Sequence, residues 1–315
     1  MPINVLIDTD PGVDDALALL LALHSDKLAV KAITTVCGNV DVETATSNLR
    51  TVLALVPGPH PVLAMGANRP LVREPFFAAH VHGANGLGGT ESVQPAIAPA
   101  AMSERAAHEE IVHQVRNSSQ PMTLITLGPL TNIALALERD PKMAGNVAQM
   151  IMMGGAFLGP GNITPAAEFN IFADPEAADV VFRSGIPLTA VGLDVTMHVR
   201  LSRKKLNAWV QDSHSPARRK VQEWTEHSLR FMQDLDGQAS IPLHDPLAVL
   251  VAMDPHLVHT ENMYVVVETK GESTLGMTLA DRRLIRNKWK EQPNARICTR
   301  VNSELSLKIF LEGIP

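Results

Sequence analysis

The residues best suited to chemistry open the chain. Asp8-Thr9-Asp10-Pro11-Gly12-Val13-Asp14-Asp15 places four carboxylates within eight residues. They fall where a strand-like run turns into a helical one, and ligands in open α/β sheets gather at the carboxyl ends of strands. Asp14 and Asp15 alone are explained by the positive end of a helix dipole. Asp10 is not, because converging carboxylates repel unless they are protonated or neutralised. A hard cation resolves that conflict, and Ca²⁺ accepts about six to eight oxygen ligands, carboxylates and carbonyls among them. Further polar residues stand at other strand or loop ends: Asn39 after Cys37-Gly38, Thr126 before Gly128-Pro129, Asn162, Glu168-Phe169-Asn170, and His244-Asp245-Pro246. Singly, each has a plainer reading, as a turn residue or a helix cap beside proline.

Positioning these groups requires strands that end together. Asn4 to Ile7, Leu28 to Val36, Met122 to Leu127, Val147 to Met153, Pro187 to Val191, Met263 to Glu268 and Ile297 to Val301 read as strands. Helical patterns intervene at Asp14 to His24, Val42 to Leu55 and Thr131 to Glu138, and Leu247 to Ala252 follows the late His-Asp pair. This alternation predicts an α/β fold: one domain over residues 1–315, an open and mainly parallel sheet flanked by helices, with a Rossmann-like core. Two less regular stretches, Ala64 to Pro99 and the polar Val210 to Pro242, which reads as helical with a loop, are the segments expected to shape or cover a site.

Bulk properties narrow the partners. With 45% hydrophobic and 19% charged residues the chain can bury a large core, although only 4% is aromatic. A formal charge of -6 argues against a general nucleic-acid binder. No long apolar run suggests a membrane span, and the first residues do not read as a secretory leader. Cys37 and Cys298 have no metal-ligand spacing and read as reduced, buried thiols, which suits a cytoplasmic protein.

The ordered set of motifs resembles the inosine-uridine preferring nucleoside hydrolases. The resemblance rests on Asp8 to Asp15, Cys37-Gly38-Asn39, His82-Gly83-Ala84-Asn85-Gly86-Leu87-Gly88, Leu127-Gly128-Pro129-Leu130-Thr131-Asn132, Met152-Met153-Gly154-Gly155, Glu168-Phe169-Asn170 and His244-Asp245-Pro246. It implies the nucleoside hydrolase fold and Ca²⁺ held by Asp10, Asp15, the Thr126 carbonyl and Asp245. It further implies a ribose held by Asp14, Asn39, Asn162, Glu168 and Asn170, with Phe169 also at the substrate and Met152 beneath the sugar. His82 and His244 would lie towards the base. Asp10 would take a proton from the attacking water, and His244, an imidazole able to donate near neutral pH, would assist the leaving base. The product would be ribose and a free base from a ribonucleoside, and the resemblance implies a homodimer or homotetramer.

One departure bears on the base. Several family members carry a tyrosine ahead of the His-Asp pair, whereas His227 to Asp234 has none and the single tyrosine is Tyr264. Arg230, Phe231, Gln233 or His227 would have to substitute. Competing readings are a same-fold hydrolase narrowed to a modified riboside, a phosphatase of the haloacid-dehalogenase type, and a nucleoside-binding protein without turnover.

Overall fold

Strand β1 (Ile3–Thr9) is buried over its last five residues, as a central strand covered on both faces must be. In the computed structural model, which describes residues 2–90, 101–211, 213–283 and 291–315, it lies near the middle of an eight-stranded sheet. The remaining strands, in chain order, are β2 (Leu28–Thr35), β3 (Val62–Met65), β4 (Met122–Thr126), β5 (Val147–Met153) and β6 (Leu188–Val191). They are followed by β7 (Arg200–Ser202), β8 (Ser240–Pro242), β9 (Val258–Met263), β10 (Val265–Val267), β11 (Thr278–Ala280) and β12 (Ala295–Val301).

The main sheet runs β3-β2-β1-β4-β5-β6-β12-β9, parallel throughout except where β9 pairs antiparallel with β12. The pairs β7–β8 and β10–β11 form two small antiparallel ribbons. From β1 the chain first builds outward through β2 and β3, then returns to add β4 on the other side. The order therefore reverses between β1 and β4, and the crevice at such a reversal is where open α/β sheets bind ligands. Asp8 and Thr126 are direct partners in the β1–β4 ladder, so the acidic segment and Thr126 flank that crevice.

Two apolar layers cover the sheet. One holds Val5, Ile7, Ile151 and Met153 together with the helices Val13–His24 and His244–Met253. The other holds Leu6, Met150 and Met152 with the helices Ala107–Asn117, Thr131–Arg139 and Pro175–Phe182. Because side chains alternate along a strand, Met152 and Met153 serve opposite layers. The helix His244–Met253 is buried from Asp245 to Ala252, which explains its nearly unbroken apolar sequence.

The expected strands and helices are present, with one strand divided. Met263 to Glu268 splits between β9, which ends at Met263, and β10, which joins the β10–β11 ribbon. The cause is Asn294, whose backbone N–H donates to the Met263 carbonyl while its side chain accepts from Val265 N–H and donates to the Val265 carbonyl. One residue thus detaches the chain from one sheet and starts the other. β9 itself begins at Val258, in a polar half-exposed sequence that carries no strand pattern.

The polar stretch before His244 is largely the helix Pro216–Asp236. Ser215 caps it by accepting from Arg218 N–H, Pro216 occupies the first turn, and Gly237 closes it in the left-handed region at φ 75°. Within the irregular stretch from Ala64, the structure forms the end of β3 and a short helix, Ala79–His82. Residues 91–99 of that stretch lie outside the described residues.

Candidate active site

Asp10 emerges just past the end of β1 and is fully buried. Its Oδ2 accepts from Asn39 N–H at 2.6 Å, whereas its Oδ1 has no hydrogen-bond partner among the described residues. Two glycines make room for it: a Cβ on Gly38 would fall 2.0 Å from Oδ2, and one on Gly128 would fall 2.5 Å from Oδ1. The turn after β2 and the turn after β4 therefore close on this carboxylate from two sides.

Asp15, in the first turn of the helix Val13–His24, folds back over the same segment. It accepts from the Thr9 hydroxyl, from Gly12 N–H at 3.0 Å and from Asn39 Nδ2 at 3.1 Å. Asp245 arrives from the start of the helix His244–Met253 on the neighbouring wall. Oxygens of Asp14, Asp15 and Asp245 lie within 4.8 Å of one another, and Asp14 Oδ1, 3.8 Å from His82 Nδ1, is buried without a hydrogen-bond partner among the described residues, as is Asp10 Oδ1. Burial drives the carboxyls of Asp10 and Asp245 well above the usual range, with mutual repulsion adding to it, and raises Asp14 to about 6. Asp15 is raised by burial and by the charge of Asp14.

These observations fit a cation. Four carboxylates held together against repulsion, two with orphaned oxygens, lack a positive charge that the protein itself does not supply. The donors are all oxygen, the set preferred by hard ions such as Ca²⁺ rather than by zinc. Asp14 stands in the tight triad with Asp15 and Asp245, and Asp10 lies alongside it. Thr126 is fully buried at the end of β4, paired with Asp8 across the β1–β4 ladder.

Above the acids lies a cavity of about 260 Å³. Asp14 and Asp245 form part of its floor, joined by Asn39, Asn162, Glu168, Phe169 and Asn170. Most of these polar groups are half-committed, which leaves one end for a ligand. Asn170 donates to the carbonyls of Leu127 and Met153, so its amide oxygen is free among the described residues. Asn162 accepts from Phe169 N–H, so its NH₂ is free in the same sense. Glu168 caps the helix Phe169–Ala173 by accepting from Asn170 and Ile171 N–H, and it also accepts from Gly155 N–H. Burial nevertheless raises its carboxyl.

The methionine beneath this space is Met153, not Met152. Met152 faces the opposite layer of the sheet and packs with Leu124 and Ala190, while Met153 lines the cavity. A shift of one residue reverses the face of a strand.

His82 and His244 both line the cavity. The glycine-rich loop around His82 is a scaffold: Asn85 accepts from Leu87 and Gly89 N–H and donates to the Thr90 carbonyl. Asn48 ties that loop to the acidic turn by donating to the carbonyls of Pro11 and Asn85. Gly88, at φ 69°, lets the loop press against the Trp224 carbonyl, where a Cβ would come within 2.5 Å. His82 Nδ1 accepts from Val13 N–H at 3.1 Å, so this ring carries its proton on Nε2. Burial pushes His82 down to about 4 and His244 down to about 3. Burial thus favours the neutral form of both rings.

The outer wall comes from the helix Pro216–Asp236. Phe231, Met232 and Leu235 line the cavity with Met197 and Ile241. Of the candidates to replace a tyrosine, Phe231 faces inward and meets His80 edge-on at 5.7 Å. Arg230 instead pairs with Glu226, Gln233 is exposed, and His227 Nε2 lies 3.1 Å from the His80 carbonyl. Sequence reasoning gave no place to Thr9, Asn48 or Thr196, whose hydroxyl or amide groups hold the named residues in position.

A group of acids thus lies at the sheet's switch point, with amides and imidazoles lining the cavity beside it. The model of the inosine-uridine preferring nucleoside hydrolase family matches residues 5–308, and the chain belongs to that family. It is a hydrolase acting on N-glycosyl bonds. A pyrimidine-specific ribonucleoside hydrolase RihA of Salmonella paratyphi C (strain RKS4594) is 39% identical over 315 residues, covering 100% of this chain and 99% of the relative. One from Shewanella woodyi is 41% identical over 279 residues, 88% of each. Among solved structures, a plant nucleoside hydrolase, PpNRh1, superposes with a TM-score of 0.90 at 33% identity, covering 100% of this chain and 99% of that one. A purine-preferring ribonucleoside hydrolase from Gardnerella vaginalis also reaches 0.90, at 31% identity over 99% and 98% of the two chains.

Proposed function

We propose that this chain uses Ca²⁺ to hydrolyse ribonucleosides to ribose and free base. The observation that carries the reading is the triad Asp14, Asp15 and Asp245, set directly under a cavity whose floor also presents Asn39, Asn162, Glu168 and Asn170. Asp10, Asp15 and Asp245, with the Thr126 carbonyl, would hold the cation, and the position of Asp14 lets it serve cation and sugar together. When bound, the ion supplies Lewis acidity that makes a nearby water a better nucleophile and a charge that attracts the sugar's vicinal hydroxyls.

The protein groups divide the remaining work. Asp10, with its free Oδ1, accepts a proton from the attacking water as the oxygen bonds to C1′. The C1′–N bond breaks and its electron pair departs with the base. Glu168 and Asp14 place negative charge by the sugar as positive charge builds on it. Free amide ends of Asn162 and Asn170 fix the ring hydroxyls and so the line of attack. His244 and His82 hydrogen-bond the base, and Phe231, Met232 and Leu235 give it an apolar wall. Among the lining residues there is no lysine or arginine, which disfavours the phosphatase reading, because a phosphate calls for a cationic partner.

The test is a comparison of inosine and uridine with their 2′-deoxy counterparts. The deoxyribosides are expected to show kcat/KM lower by about 100-fold or more, as a site built around a hydroxyl rejects its absence. Equal turnover of ribosides and deoxyribosides would remove the sugar-gripping role of the floor.

A further inference from the structure

His244 Nδ1 lies 2.7 Å from the hydroxyl of Thr196, and the direction of that bond decides what the ring shows to the cavity. Thr196 ends the short helix Leu193–Thr196 after β6 and is fully buried. Other buried threonines on helices, Thr46 and Thr225, give their hydroxyl hydrogen to the carbonyl four residues back. Thr196 makes no such bond, and His244 Nδ1 is the partner of its hydroxyl among the described residues. Were Nδ1 the donor, a buried hydroxyl hydrogen would be left without an acceptor, an arrangement native interiors avoid. The satisfied arrangement has the threonine donating to Nδ1. The ring's proton then sits on Nε2, which makes no hydrogen bond among the described residues although the ring lines the cavity.

We propose that Thr196 is a positioning residue that holds His244 in its Nε2–H form, so that the ring offers a hydrogen-bond donor to the departing base. The hydroxyl selects one tautomer and one ring orientation, in the way that a partner on one ring nitrogen sets the role of the other. A base leaving with the C1′–N electron pair gains negative charge on its ring nitrogen or carbonyl oxygen. An Nε2–H aimed there stabilises that charge. This inference rests on the reading of the cavity as a ribonucleoside site with His244 towards the base.

The test uses the Ca²⁺-saturated enzyme with Thr196→Val, Thr196→Ser and His244→Ala, each assayed on uridine, inosine and 4-nitrophenyl β-ribofuranoside. The nitrophenolate leaves without help from a donor. Thr196→Val is expected to lower kcat on the two nucleosides by about 10- to 100-fold, with little change in KM, and to affect the nitrophenyl riboside far less. Thr196→Ser, which keeps the hydroxyl, restores nucleoside turnover. Nitrogen-15 NMR of His244 shows a protonated Nε2 and an unprotonated Nδ1 in the wild type. An equal loss on all three substrates, no loss on any, failure of serine to restore turnover, or a protonated Nδ1 would each overturn the role of Thr196. If His244→Ala itself leaves uridine and inosine turnover intact, the placement of His244 at the base fails instead, whatever Thr196 does.

Discussion

Replacing Asp10 with asparagine is expected to lower kcat on every ribonucleoside by about 1,000-fold while leaving the protein folded. The amide matches the carboxylate in shape, so it still fits between Gly38 and Gly128 and its oxygen can still accept from Asn39 N–H. What it loses is the basic, unpartnered Oδ1 that takes the proton from water, and one negative charge towards the cation. In chelator, the variant should melt no lower than the wild type, because a buried charge without a counter-charge has been removed. Parallel measurement of kcat and of the thermal midpoint separates these effects. A variant with near-normal kcat would show that Asp10 is not the proton acceptor.

Cation removal should have the second large effect, on stability and on its dependence on pH. Without the ion, burial and mutual repulsion raise Asp10, Asp14, Asp15 and Asp245 above their values in the unfolded chain. The folded state then binds protons more tightly than the unfolded state, so stability falls as pH rises from about 4 through the folded values. Chelated protein should therefore melt at a lower temperature at about pH 8 than at about pH 5. Ca²⁺ should reverse the trend, since it competes with those protons and binds the folded state; at 1,000 times its Kd it adds about 4 kcal/mol. Scanning calorimetry across that range, with chelator and with Ca²⁺, checks both signs. Identical profiles with and without Ca²⁺ would mean that the acids do not hold the ion.

The parts of this site that could be read in the sequence are those that the strand ends fix. Asp8 and Thr126 stand at the ends of apolar runs that read as strands, and the topology that pairs β1 with β4 sets those two residues side by side. Met152 and Met153 show the limit: two identical residues at the end of one strand differ only in face, and a register of one residue is invisible in a run of methionines. The outer wall was legible as a helix but not as a surface, because Phe231, Met232 and Leu235 stand among charged neighbours whose pairing, such as Arg230 with Glu226, exists only in three dimensions. Thr196 was silent for another reason: a hydroxyl five residues after the end of β6 meets a ring 48 residues further on, and no local pattern announces that contact. The split of β9 from β10 likewise depends on Asn294, which is distant in sequence from both.

Calcium-dependent cleavage of the ribosyl bond is tested most directly by counting products. Enzyme stripped with chelator and then restored with Ca²⁺ should be incubated with uridine and with inosine, and the free base and reducing sugar quantified together. The account predicts equal amounts of base and ribose in the restored enzyme, with both lost in the stripped one. Base release that persists in chelator, or Ca²⁺-restored enzyme that binds nucleoside and releases neither product, would contradict it.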